Sequence, residues 1–111
     1  MDTIWHLTHD GRPAEPGAEG FVHCSFTSQL DGTLALHFRE ARSVTLLQLD
    51  RARLGEHLRL EVSRGGARFP HVYRGLDKAD VLERRTLLRG PDGRFDLTPL
   101  GRRASTTENT P

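Results

Sequence analysis

The chain has 111 residues, a formal net charge of +1, 28% charged residues and 35% apolar residues. That length allows one domain with a modest core, and the near-neutral balance gives no electrostatic case for nucleic acid. A single cysteine, Cys24, excludes an internal disulfide framework and every multi-cysteine zinc pattern.

In chain order, Thr3 to Thr8 reads as a first strand. Trp5 and Leu7 face the core, with Ile4, His6 and Thr8 opposite. His9 to Glu19 holds Pro13, Pro16 and Gly17 and is a loop. A second strand follows around His23, with Val22, Cys24 and Phe26 on one face and Phe21, His23 and Ser25 on the other. Cys24 on the core face reads as a small buried hydrophobe. Ser28-Gln29-Leu30-Asp31 is a capping-box pattern that starts a helix. Leu30, Leu34 and Phe38 then form one apolar stripe to about Arg39. A strand that runs into a helix N-terminus brings free N–H groups near His23, a setting that suits an anion.

Val44 to Leu49 is the most apolar run and reads as a central strand. Asp50 to Gly55 is one helical turn ended by glycine. Leu58, Leu60 and Val62 alternate with Arg59, Glu61 and Ser63 as a half-buried strand. Ser63-Arg64-Gly65-Gly66 is a turn, and Phe69 to Tyr73 is extended, with Pro70 pointing to an edge or a strand start. Asp77 to Asp80 makes a short helical turn and Val81 to Leu88 a strand. Gly90-Pro91-Asp92-Gly93 then reverses the chain into Arg94 to Leu97. After Pro99 the Ser, Thr, Asn and Arg content predicts a frayed tail. Residues 1–100 are read as the domain and 101–111 as the tail. No signal peptide and no stretch of roughly 20 apolar residues is present, so the expectation is a cytoplasmic protein with no membrane segment. Lys78 is the only lysine. Arginine suits planar carboxylate or phosphate partners, although a GC-rich genome gives the same bias.

Three short strands carry a histidine on the polar face: His6, His23 and His71. Adjacent strands would bring these imidazoles, Ser25 and Tyr73 into one cleft. The plain alternative is that each histidine bonds a local backbone carbonyl. His9, His37 and His57 read as surface residues. Three histidines suit zinc with an open fourth position, but none has the HxxxH or HxH spacing that pre-orders two ligands, so no metal is expected. A triad through Ser25 lacks a Gly-x-Ser-x-Gly elbow, and neither a Walker loop nor GxGxxG is present.

Trp5-His6-Leu7-Thr8, Glu19 to Ser25 with Gln29, Leu49-Asp50 with Arg53-Leu54-Gly55, Glu61 with Ser63 to Gly66, and Phe69 to Tyr73 occur in that order. Together they resemble the bacterial family called domain of unknown function 952, over roughly Thr3 to Leu88. The family is grouped with the ADP-ribosyltransferase-like fold, a split β-sheet that grips NAD in a cleft. The resemblance implies that His6 holds the ribose or nicotinamide end and that His23 and Ser25 lie beside the nicotinamide. Glu61, Arg64, His71 and Tyr73 would complete the cleft. Family members usually carry a helix between the first histidine and the Gly-Phe-x-His motif, and here His9 to Gly20 is too short for it.

The combined expectation is an α+β domain: a small split β-sheet of about six strands with one main helix, ADP-ribosyltransferase-like. Its expected function is ADP-ribosyl or phosphate transfer with NAD as substrate. In that reading Glu61 and His23 are catalytic, while His6, Ser25, Arg64, His71 and Tyr73 bind the ligand. The alternatives are a non-catalytic nucleotide- or anion-binding module and a histidine-metal hydrolase.

Overall fold

The apolar run Ser43–Leu49 forms an inner strand, β4, of a four-stranded antiparallel sheet. The computed structural model describes residues 3–97 and 100. β4 lies between β1 (Ile4–Thr8) and the long edge strand Val81–Leu88. Its register pairs Leu46 with Leu7 and Leu47 with His6. Strand alternation therefore sends Leu46 and Leu47 to opposite faces, and both are fully buried.

Two apolar clusters cover the two faces of this sheet. On one side Trp5, Leu7, Val44, Leu46 and Leu87 pack with Leu30 and Leu34 of α1 (Leu30–His37), with Phe38 just beyond it, and with Leu100. The helix stripe read from the sequence is the face that meets the sheet. On the other side Ile4, Leu47 and Leu49 meet Val22, Cys24, Leu54, Val72 and Leu76. Ile4, expected opposite the core with His6 and Thr8, is thus buried. Antiparallel sheets often leave one face in water, but this one is covered on both sides along its centre.

The second cluster joins the first sheet to a three-stranded antiparallel one. The strand expected from Phe21 to Phe26 breaks at Cys24. Val22–His23 (β2) pairs with Arg68–Val72 in the second sheet, and Ser25–Phe26 (β3) pairs with β1 in the first. The Cys24 N–H donates to the Pro70 carbonyl at 3.0 Å at the crossing point. A turn of 3-10 helix, Thr27–Gln29, follows before α1 begins. The Gln29 side chain accepts from the Phe26 N–H at 3.0 Å and donates to the Arg68 carbonyl at 2.8 Å. Gln29 therefore fixes the helix entry and ties it to the second sheet.

After β4, Asp50 caps the short helix α2 (Arg51–Leu54) by accepting from the Ala52 N–H at 3.1 Å. A cap of this kind contributes about 1 kcal/mol. Gly55 ends the turn at φ +51°. β5 (Leu58–Val62) and β6 (Arg68–Val72) then form a hairpin. Gly65 and Gly66 at its tip have φ of +66° and +82°, a conformation that side-chain-bearing residues rarely adopt. That turn sets the register Arg59 opposite His71 and Glu61 opposite Phe69. The apolar side of β5 is less buried than its alternation suggests: Leu60 and Val62 are exposed, while Leu58 packs against the second cluster. A 3-10 turn, Lys78–Asp80, leads into β7 (Val81–Leu88). The Gly90–Gly93 reversal follows, with Gly90 N–H donating to the Arg94 carbonyl at 2.7 Å.

The architecture is α+β, with two α-helices and seven strands in two antiparallel sheets among the described residues. The extra strand relative to the expected six or so arises from the break at Cys24. Among the described residues no helix is long and apolar enough to cross a membrane. The expected tail, 101–111, lies outside the described residues.

Candidate functional site

The second sheet has one face in the core and one face lined by aromatic and ionisable side chains. Val22, Val72 and Leu58 point to the core. By alternation and register, Phe21 and His23, His71 and Tyr73, and Arg59 and Glu61 share the opposite face in three adjacent rows. Here the period-two reading of the sequence brings its residues together.

At the centre is a carboxylate–imidazole pair. Glu61 Oε1 lies 2.8 Å from His71 Nδ1 and accepts the Tyr73 hydroxyl at 2.7 Å. His71 and then Tyr73 hold the Glu61 carboxyl below its ordinary range. The same contact pushes the Tyr73 phenol up, because its ionisation would set a phenolate against the carboxylate. A carboxylate on Nδ1 selects the tautomer that carries its proton there and leaves a lone pair on Nε2. The His71 side chain is only 5% exposed. Its Nε2 is buried without a hydrogen-bond partner among the described residues.

Two rings contact that imidazole, and a third lies beyond Phe21. Phe21 stacks on it at 4.0 Å and 18°, and His23 meets it edge-on at 5.2 Å. Tyr73 lies 5.2 Å from Phe21. His23 is 60% exposed, and its Nε2 lies 3.1 Å from Glu19 Oε2. That contact lowers the Glu19 carboxyl. The Arg59 guanidinium sits 5.5 Å from the centre of the Tyr73 ring.

The remaining expected site residues fall elsewhere. His6 is not part of the ring cluster. Its Nδ1 bonds the His23 carbonyl at 2.9 Å, the plain alternative for a strand histidine, and burial lowers its pKa. Ser25 is turned away from His23: it is 2% exposed and bonds Thr33 of α1 at 2.8 Å. The strand break at Cys24 puts Ser25 in the other sheet, where it anchors the helix. Arg64 lies in the hairpin turn, and its side chain is outside the described set. Cys24 is buried, and burial pushes its thiol far up, in accord with a core role.

Three contributors were not among the expected site residues, although Phe21 was placed on the His23 face. Glu19 stands four residues before His23, Phe21 two before it, and Arg59 two before Glu61. The last two spacings follow from strand alternation, while the first depends on the turn at Gly17–Gly20, closed by the Gly20 N–H on the Gly17 carbonyl at 3.0 Å. Among the described residues no group of three or more His, Cys, Asp or Glu is placed to hold a metal ion.

Residues 5–84 match the family model described as "Protein of unknown function (DUF952)". The crystal structure of protein CC0527 from Caulobacter crescentus is similar at 32% identity, with a TM-score of 0.77, over 93% of this chain and 98% of that chain. A double-mutant crystal structure of CC0527 gives 31% and 0.77, with the same coverage. The solution NMR structure of CC0527 gives 32% and 0.75, over 92% and 98%. No curated protein matches the chain.

Proposed function

The chain belongs to the DUF952 family, and from that premise we propose that the aromatic face of its second sheet binds NAD and catalyses ADP-ribosyl transfer. The ADP-ribosyltransferase-like assignment of the two-sheet core is part of the same proposal. The observation that carries it is the buried, unpartnered Nε2 of His71, held in one tautomer by Glu61. A buried nitrogen without a partner costs about 1–3 kcal/mol. Such a cost is retained where a ligand supplies the missing donor.

The chemistry follows from the groups around it. A nicotinamide ring bound to ribose is flat and cationic, and it suits aromatic faces and nearby carboxylates. Phe21 and Tyr73 supply the faces; Glu19 and Glu61 supply the negative charge. As the ring enters, Phe21 yields its place over His71. The C1′–N bond breaks with its electron pair leaving on nicotinamide, and the acceptor oxygen bonds C1′. The acceptor proton passes to His71 Nε2, and Glu61 stabilises the imidazolium that results. Glu61 thus acts mainly through His71, and His23 with Glu19 borders the ring subsite.

NAD titration followed by melting temperature and by chromatographic detection of free nicotinamide tests this reading. A saturable rise in melting temperature and release of nicotinamide are expected, with release falling about a hundredfold or more in His71→Ala. Binding without release would leave a non-catalytic nucleotide module. No response to NAD or to ADP-ribose would overturn the reading.

A further inference from the structure

Arg59 projects from β5 on the same face as Glu61, directly opposite His71 in the hairpin register. Behind the His71 and Tyr73 bonds, the Arg59 charge helps to hold the Glu61 carboxyl low, and a guanidinium at this spacing can go further and form an ion pair. Here it does not. Glu61 Oε1 is taken by His71 and Tyr73. Arg59 makes no hydrogen bond or ion pair among the described residues, and its guanidinium rests over the Tyr73 ring at 5.5 Å.

The face therefore carries its charges in a graded order. Glu19 and His23 lie at the β2 side, His71 on the central strand β6, and Glu61 with Arg59 on the β5 edge, where the guanidinium has no hydrogen bond among the described residues. The Tyr73 ring attracts the guanidinium at that distance and leaves its planar fork of donors available for a two-pronged contact. A ligand that fits this order has a cationic ring at one end and an anion at the other.

We infer that Arg59 is the phosphate subsite of this cleft, so that the site takes a phosphorylated nicotinamide nucleotide and discriminates against the corresponding nucleoside. The inference rests on the nicotinamide reading above and adds the group that selects within that ligand class. Arg59 is a specificity residue here, with no part in the bond-breaking step.

Calorimetric titration of nicotinamide mononucleotide and nicotinamide riboside into wild type, Arg59→Gln and Arg59→Lys separates the two ideas. Wild type is expected to bind the nucleotide about tenfold or more tightly than the riboside, with an affinity that falls as salt rises. Arg59→Gln is expected to bring the nucleotide down to the level of the riboside, to change its salt dependence to that of the riboside and to leave riboside binding unchanged. Arg59→Lys should fall between, since it keeps the charge and loses the fork. Arg59 is exposed, so melting temperatures should match and report intact folding. An Arg59→Gln protein that still prefers the nucleotide overturns the phosphate subsite while the ring site stands. Equal loss of both ligands also overturns it, because Arg59 would then only steady Tyr73. Failure of both ligands to bind wild type removes the nicotinamide reading and the subsite together.

Discussion

Asp80 and Glu61 are each paired with cationic or protonatable side chains, and they differ in how completely they are satisfied. Asp80 is wholly buried, and both of its oxygens are used. Oδ1 accepts from Arg53 at 3.2 Å and Arg74 at 3.0 Å; Oδ2 accepts from Arg74 at 2.8 Å and the Asp77 N–H at 2.7 Å. Arg74 also bonds the Gly75 and Arg53 carbonyls, so the network closes on itself and ties α2 to the turn before β7. Glu61 is 37% exposed and directs its bonds to His71, whose other nitrogen is left open. A closed network has nothing left to offer a ligand and belongs to the scaffold. The open one keeps a buried acceptor, His71 Nε2, without a partner among the described residues.

Asp80→Ala is the harshest test of that contrast. Removing one member of a buried charged network costs about 3–5 kcal/mol. Arg53 and Arg74 keep partial access to water, which places the expected loss near the lower end, about 3 kcal/mol, in a denaturant midpoint measurement. Acid titration reads the same network. Arg74 hydrogen bonding, ahead of the Asp77 N–H and Arg53, holds the folded Asp80 carboxyl well below its ordinary value of 3.8. The stability it contributes is therefore fully present above that unfolded value and lost as pH falls below it toward the folded one. Asp80→Asn should remove most of this acid-side slope. A stable Asp80→Ala protein would mean that the closed network is not structural.

His71→Phe probes the open network with a smaller effect of opposite sign. Phenylalanine keeps the stack on Phe21 and removes the buried nitrogen without a partner. Glu61 retains the Tyr73 hydroxyl and its access to water. The midpoint is expected to equal or exceed wild type by up to about 1 kcal/mol, while the response to NAD disappears. A loss of more than about 1 kcal/mol would place His71 with Asp80 in the scaffold.

Much of the second sheet's polar face was legible because strand alternation is local. Phe21 with His23, His71 with Tyr73, and Arg59 with Glu61 each follow from a spacing of two, and the Gly65-Gly66 tip fixes how the last two pairs align. The inner strand β4, the helix stripe and the Gly55 stop were legible for similar reasons. The break at Cys24 was not. Val22, Cys24 and Phe26 alternate as one strand would, and only the competing partners β6 and β1 decide that the chain changes sheets there. With the break, Ser25 passes to the helix side and His6 is left to support β2 through the His23 carbonyl. Burial of Ile4 beside Trp5, and exposure of Leu60 and Val62, likewise depend on which sheet faces meet. The Asp80 network joins residues up to 27 positions apart, and nothing local marks it as buried.

The finest test is spectroscopic, because Tyr73 is the only tyrosine in the chain. Absorbance near 295 nm therefore follows one phenol. Its hydroxyl donates to Glu61, and losing that proton would cost the hydrogen bond and place two negative charges together. The Glu61 bond comes first among the causes, followed by burial and the Glu61 charge, with Arg59 opposing. The midpoint is thus expected above the ordinary value of 10.0 in wild type. Glu61→Gln removes the carboxylate charge and should return it toward 10. Arg59→Gln should shift it slightly further up, since the opposing cation is gone. Fluorescence from Trp5, the sole tryptophan, shows whether the fold persists across the same pH range. If wild type and Glu61→Gln titrate together while folded, Glu61 does not hold Tyr73 in solution. The carboxylate would then be free to bind Arg59, and the open network that distinguishes it from Asp80 would not exist.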